Sequence, residues 1–451
     1  MVEIVLVVNV CKSGSKLGIG SNDSVEWCVP EDLENFEKLT NEKVVVLGGT
    51  TFKNIGEPLK NRKNYILSKK VKKGEGYTVF ETKEELDKAI EKEEVVYVIG
   101  GEKVYKGYIK TCDKILLTQI YGKYNCDTFF PEITSDFCIS EYSEILISKI
   151  SGVKYRYITL IRNTRPCPET GYLSLAKDIL NKGQLRQDRT GTGTVSLFGK
   201  QIKFDISRSV PLLTTKTVPW KTVILEMLWM ISGNTDSKWL EERNIGIWKG
   251  NTSREFLDSQ GLDYPEGELA YGYGHQMRNS GGTRNSNDGV DQLMYIENLL
   301  KTDPYSRRIL WNLWSPTDLK RTPLMPCHYS FQLYVETENG ENYLSGMLVL
   351  RSNDIFLGNP FNILGYSVLI YILAMKCDMN PRELTLCIGD AHIYTNHLNQ
   401  MTEQISRAPR VQPVLELDKS IKHKKYSEID ISDFKIIGYF PCDPIRGDMA
   451  I

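Results

Sequence analysis

Val95-Val96-Tyr97-Val98-Ile99-Gly100-Gly101-Glu102-Lys103-Val104-Tyr105 decides the reading of the N-terminal part of the chain. Its first five residues form a short apolar run rich in β-branched side chains, the signature of a buried strand. The glycine pair interrupts that run, and Glu102 onward reads as the start of a helix. A strand, a glycine turn and a helix N-terminus make a natural cradle for a pyrophosphate, because backbone N–H groups converge there. A glycine pair by itself reads first as a tight turn. Outward from this stretch the pattern recurs at Val46-Leu47-Gly48-Gly49. Further apolar runs lie at Val2–Val8, Val44–Leu47, Asn64–Leu67 and Lys114–Ile120, with helical patterns between them at Pro30–Leu39 and Lys83–Glu91. Such alternation predicts an α/β domain over residues 1–162, with a mainly parallel sheet covered on both faces and Lys154–Ile161 as its last strand.

Residues 163–171, with Pro166, Pro168 and Gly171, read as a short linker. From Tyr172 the pattern changes. A helix to about Leu180, a strand at Val195–Phe204 and long apolar helices at Val223–Ile231 and Phe361–Met375 predict an α+β domain with a large sheet over residues 172–451. A chain of 451 residues is long enough for two such cores. The net charge of −1 argues against bulk nucleic-acid or membrane-surface binding as the main task. The N-terminus lacks a basic region before its apolar run, and no uninterrupted apolar stretch is expected to span a bilayer. The ten cysteines are scattered, with no CxxC pair or Cys/His cluster. That pattern points to a reducing, intracellular and cytoplasmic setting with no metal site.

Four segments could carry chemistry. Asp32 lies in Trp27-Cys28-Val29-Pro30-Glu31-Asp32-Leu33. It is either a first-turn acid complementing the helix dipole or a partly buried carboxylate that bonds a heterocycle and helps protonate it. The donor-rich loop Asp188–Thr194, with Arg189, suits a phosphate or is a hairpin turn. Arg307-Arg308 either face solvent or clamp a phosphate. Cys327 precedes a strand at Ser330–Val335, in Pro326-Cys327-His328; nearby arginines would favour its thiolate. Neighbours on an extended stretch point to opposite faces, so a protease-like Cys327–His328 pair is disfavoured.

The N-terminal blocks, taken in order, resemble dihydrofolate reductase over about residues 2–161. They are Gly18-Ile19-Gly20, Trp27 through Asp32 with Phe36, Thr51-Phe52 with Ile55-Gly56, Arg62, Leu67-Ser68, Ile99-Gly100-Gly101 with Val104-Tyr105, Thr118, and Asp127-Thr128 with Phe130-Pro131. The resemblance implies that Asp32 binds the pteridine and supplies the protonation step, linked to Thr118, with Trp27 ordering water beside it. Phe36, Ile55 and Ile99 would enclose the folate, and Arg62 would pair with its tail carboxylate. Ile19, Gly20, Gly48, Thr51, Ser68, Lys69, Gly100, Gly101, Val104 and Tyr105 would hold NADPH. Gly49 stands where the family usually has a basic residue, and Lys69 and Lys70 could take over its charge role.

The segment from about Tyr172 resembles thymidylate synthase throughout. The strings are Asp188 to Thr194, Thr214-Thr215-Lys216, Glu226-Met227-Leu228-Trp229, Ile247-Trp248, Ser306-Arg307-Arg308, Pro326-Cys327-His328, Arg351-Ser352, Pro360-Phe361-Asn362, and Asp390-Ala391-His392-Ile393-Tyr394. Reductase first and synthase second resembles the fused enzymes of protists and plants. The resemblance implies that Cys327 attacks dUMP, with 5,10-methylenetetrahydrofolate as cosubstrate. Arg189, Arg351 and Ser352 would grip the phosphate, and Arg307 and Arg308 would reach it from the partner of a homodimer. Asn362 would read the uracil edge, His328 would line the dUMP site, and His392 and Tyr394 would hold the ribose. Glu226 would order water for proton transfers. Trp248, Asp354 and Ile451 would meet the folate. Met277, Leu350, Pro219, Lys221 and Cys442-Asp443 depart from the usual pattern without removing a catalytic group. A hydroxymethylase of the same fold would need an acid to read cytosine, and Asn362 argues for uracil. A non-catalytic or RNA-binding chain is disfavoured by Asp32, Cys327 and the absence of a basic footprint.

Overall fold

In the computed structural model, which describes residues 2–21, 24–188 and 190–449, the strand Val95–Gly100 runs directly into the helix Glu102–Tyr108. Among the described residues this strand belongs to an eleven-stranded sheet. Its main path runs Leu146–Ile147, Lys154–Arg162, Lys114–Tyr121, Glu3–Ser13, Val95–Gly100, Val44–Gly48, Lys63–Leu67, Tyr77–Phe80. Neighbours from Lys114–Tyr121 to Tyr77–Phe80 are parallel, and Lys154–Arg162 joins Lys114–Tyr121 antiparallel, with Leu146–Ile147 outside it. Val44 through Leu47 are all buried, as a strand covered on both faces requires.

The sequence reading stopped the first strand at Val8. It runs on to Ser13 and turns at Gly14, whose φ of +63° suits glycine, into Lys16–Gly20. The helix Gly49–Ile55 and the strand Tyr77–Phe80 were not foreseen, because each is short and its apolar residues are only partly buried. The unit containing this sheet runs to Cys167 and also takes in Pro409–Gln412 and Gly438–Asp443. Within it, the buried Arg410 donates to the carbonyls of Ser15, Phe440 and Pro441 and pairs with Glu132. Ser15 donates to Asp443, one of the departures noted above.

The other unit is built on the long strands Thr194–Asp205, His328–Glu338, Glu341–Asp354 and Asn380–Tyr394. Among the described residues they sit in a six-stranded sheet with Gln184–Arg186 and Leu310–Asn312 at its edges. Glu341–Asp354 and Asn380–Tyr394 are parallel, and the helix Gly358–Lys376 is the crossover between them. By length and composition that helix could cross a membrane, although Asn359, Asn362 and Ser367 interrupt its apolar run. It is a core helix, with 72% of its apolar window buried. It crosses Trp220–Ile231 at Gly365, where a Cβ would meet Met227 at 3.2 Å.

The helix Glu169–Lys182 begins inside the stretch read as linker. Glu169 is buried there. Its carboxylate accepts from the backbone N–H groups of Thr214 and Thr215 at 2.8 and 3.0 Å and from both hydroxyls. A charged linker residue is thus the anchor of a buried loop.

Candidate active sites

In the first unit a cleft of about 1700 Å³ opens along the carboxyl ends of the parallel strands. Asp32, two residues into its helix, lines it with Trp27, Phe36, Ile55, Ile99 and Thr118. Thr118 donates to Asp32 Oδ1 at 2.6 Å, and Asn9 donates to Oδ2 at 3.2 Å. Burial pushes the Asp32 carboxyl up, and these hydrogen bonds pull it partly back. The Trp27 indole N–H is buried without a partner among the described residues, which suits a water beside Asp32. Arg62 stacks over Phe36 at 5.6 Å, and its buried Nε and Nη1 have no acceptor among the described residues. Two orphan guanidinium donors in a fixed fork fit a carboxylate.

The same cleft is lined by Ile19, Gly20, Gly48, Thr51, Ser68, Lys69, Gly100, Gly101, Val104 and Tyr105. Gly100 has φ of +145°, and a Cβ there would stand 3.2 Å from Thr51. The bare backbone at Gly100 and Gly101 leaves room for a ligand to approach closely, so the cradle fits a dinucleotide pyrophosphate. A side chain at Gly49 would lie 2.5 Å from Ser68 Oγ, which accounts locally for the missing basic residue. Lys69 and Lys70 line the cleft beside it. Tyr105 is committed to the fold: its hydroxyl donates to the Val7 carbonyl at 2.7 Å.

In the second unit Cys327 sits where the chain enters the strand His328–Glu338. Arg351, on the neighbouring strand, donates to the Cys327 sulfur at 3.7 Å. Its guanidinium is held by the carbonyls of Pro326 and Met325 at 2.9 and 3.0 Å. The Cys327 N–H donates to the hydroxyl of Tyr273 at 2.8 Å. Tyr273 stacks on His328 at 4.1 Å and meets Trp248 edge-on at 5.8 Å. Trp248 donates to Glu226 at 2.9 Å. Burial pushes Glu226 up to about 7, within reach of proton exchange near neutrality. His328 is buried, pushed down to about 3, and engaged through Nδ1 with Tyr366 at 2.7 Å. Its ring is committed to Tyr366 and to the stack on Tyr273.

His392 pairs with Asp390 at 3.1 Å and meets the Tyr394 ring at 5.2 Å. Ser352 faces Asp390 across the sheet. Asp354 accepts from the N–H groups of Phe356 and Leu357, ordering the turn into the crossover helix that carries Asn362. Asp188 gathers the N–H groups of Thr190 and Gly193, which makes Thr190 to Gly193 a built turn. Arg307 and Arg308 are exposed. Arg189 and Ile451 lie outside the described residues. Two neighbours escaped the sequence reading. Asn9 sits in an apolar strand, and Tyr273 lies far along the chain from the groups it joins; only the adjacent Gly274-His275-Gln276 offered a signal.

The dihydrofolate reductase family model matches residues 3–162, and the thymidylate synthase family model matches residues 170–451. A bifunctional dihydrofolate reductase-thymidylate synthase of Paramecium tetraurelia is 37% identical over 96% of this chain and 96% of its own length. The protein of that name from Zea mays is 36% identical over 96% and 95%, and the one from Leishmania major 33% identical over 96% and 93%. With both family models matched in this order and relatives alike along nearly their whole lengths, the chain belongs to the bifunctional dihydrofolate reductase–thymidylate synthase family.

Proposed function

We propose that the chain methylates dUMP to dTMP in its second domain and reduces the dihydrofolate so formed in its first. The observation that carries this reading is the Cys327 sulfur held 3.7 Å from a guanidinium that is itself fixed by two carbonyls. Cys327 adds to C6 of the uracil ring, and the displaced π pair makes C5 nucleophilic. 5,10-Methylenetetrahydrofolate supplies, when bound, the methylene and the hydride that complete the methyl group. Arg189, Arg351 and Ser352 hold the phosphate, His392 and Tyr394 the ribose, and His328 backs the dUMP site through Tyr273. Asn362 meets the pyrimidine edge, and Glu226, near its midpoint at neutral pH, exchanges protons through water. Trp248, Asp354 and Ile451 face the folate.

In the first domain NADPH supplies the hydride when bound. Asp32 holds the pteridine and, raised by burial, provides the proton. Thr118 orients that carboxylate, and Trp27 holds water beside it. Phe36, Ile55 and Ile99 flank the ring, and the orphan donors of Arg62 take the tail carboxylate. The dinucleotide lies along Ile19-Gly20, Gly48, Thr51, Ser68-Lys69 and Gly100 to Tyr105. Exposed Arg307 and Arg308 support a homodimer through the synthase domain, in which they reach the partner's phosphate. We place the domains at 1–162 and 172–451, and the protein in the cytoplasm, a reading that ten free thiols support.

Cys327→Ser is expected to abolish dTMP formation and spare NADPH oxidation with dihydrofolate, and Asp32→Asn to do the reverse. Loss of both activities from either change in a folded protein would contradict two independent sites. With dUMP and methylenetetrahydrofolate as the only added substrates, NADPH absorbance should fall at the rate of dTMP formation. A flat trace leaves no working reductase in series.

A further inference from the structure

Behind Asn362 stand two more asparagines. Asn359 is fully buried on the first turn of the crossover helix, and Asn353 is buried near the end of the preceding strand. The Asn359 amide donates to Asn353 Oδ1, and Asn353 Nδ2 donates to Asn362 Oδ1 at 2.8 Å. Asn359 Oδ1 is buried without a partner, and the Asn362 amino group has no acceptor among the described residues.

We propose that Asn359 and Asn353 form a positioning relay that fixes the orientation of the Asn362 amide and thereby selects uracil over cytosine. The proposal rests on the reading that Asn362 meets the pyrimidine edge. Uracil presents an acceptor at O4 and a donor at N3–H; cytosine presents a donor at N4 and an acceptor at N3. A primary amide can match either edge by turning over, because its oxygen and nitrogen ends are nearly the same shape. An unrestrained asparagine is therefore a poor discriminator. With Asn353 donating to its oxygen, Asn362 keeps one lone pair for N3–H and both amino hydrogens free for an acceptor such as O4.

The direction of the relay is set at its buried end. As built, the group left without a partner is a carbonyl oxygen. With all three amides turned over, it would be the Asn359 amino group. An orphan buried N–H is the rarer and costlier of the two. The three amides thus turn together or not at all, and the far end of the chain holds the near end in place.

Asn359→Asp tests the relay, because a carboxylate only accepts. Asn353 must then donate to residue 359 and accept from Asn362, which reverses the chain. Asn353→Ser tests the same link without a buried acid and serves if the first variant does not fold. The readout is the ratio of dissociation constants for dUMP and dCMP, measured by calorimetry on the full chain, with circular dichroism as the check on folding. The preference for dUMP should fall by about tenfold or more, the discrimination worth of roughly one hydrogen bond. If both nucleotides weaken together and the ratio holds, the asparagines are merely structural and the proposal is overturned. Asn362→Asp separates the two levels of the argument, since it alters the reader itself. A ratio unmoved by Asn362→Asp sinks the base-reading assignment, and the relay with it. A ratio moved by that change alone sinks the relay only.

Discussion

Asp32 carries a donor on each carboxylate oxygen, Thr118 on one and Asn9 on the other. Burial favours the neutral acid, and both hydrogen bonds favour the anion. Protonation of the pteridine needs the acid form, so the reductase rate should fall as pH rises through the Asp32 pKa. Asn9→Ala removes a bond that favours the anion. Its expected effect is to raise the Asp32 pKa further and move the falling limb of the rate to higher pH. Tyr155 and Tyr157, the titrating groups that sense the Asp32 charge across the cleft, are raised rather than lowered and stay neutral over that range. A pH–rate profile of the variant with an unmoved limb, or one displaced to lower pH, would refute the link. The sequence made Asp32 and Cys327 legible through their neighbours in the chain. It could not show Asn9 as part of the site. Residue 9 lies just past the apolar run read as a strand, and nothing local marks it until folding sets the longer strand beside the helix carrying Asp32. Tyr273 was hidden for the same reason.

Among the elements, periodicity located several of the parallel strands and the apolar helices Trp220–Ile231 and Gly358–Lys376 to within a few residues. It failed where local signals conflict with tertiary demands. Glu169 follows two prolines and precedes a glycine, so its surroundings read as linker, yet it opens a helix and is buried. Nothing in the linear pattern announces that Thr214 and Thr215 need its carboxylate. Glu169→Ala would leave two backbone N–H groups and two hydroxyls in the core without their acceptor. That should destabilise the synthase domain by about 3–5 kcal/mol. Chemical denaturation followed by tryptophan fluorescence should show a lower midpoint with little change in slope. An unchanged midpoint would mean that water or another side chain replaces the carboxylate. The adjacent Lys216 belongs to the same buried loop. Its ammonium donates to the Phe356 carbonyl, and burial pushes it down to about 7.

For the whole molecule, the order of the two domains was legible because each carries its own ordered set of motifs. The return of Pro409–Gln412 and Gly438–Asp443 to the reductase-bearing unit was not, since no local pattern marks a segment that leaves the core it was read into. Assembly was legible only as an implication of resemblance. Arg307 and Arg308 stand exposed, and the proposed homodimer gives them a phosphate to meet. Cys327→Ser and Arg307→Ala proteins should each make little dTMP alone. Mixed under conditions that exchange subunits, they should recover part of the activity, because one site of each mixed dimer then holds both an intact thiol and an intact partner arginine. No recovery, with exchange verified, would place Arg307 in its own subunit's chemistry or outside it.

The Asn9 side chain also gives the reductase cleft a recognition feature of its own. It leaves a polar amide on the cleft wall, next to the carboxylate that any basic heterocycle must meet. An inhibitor with a hydrogen-bond acceptor beside its charged ring can take the second N–H of Asn9 and the Asp32 oxygens together. One that places a methyl group there strands that N–H and should bind more weakly. Antifolate selectivity for this enzyme over a reductase with an apolar residue at that position can therefore be sought at a single atom of the drug.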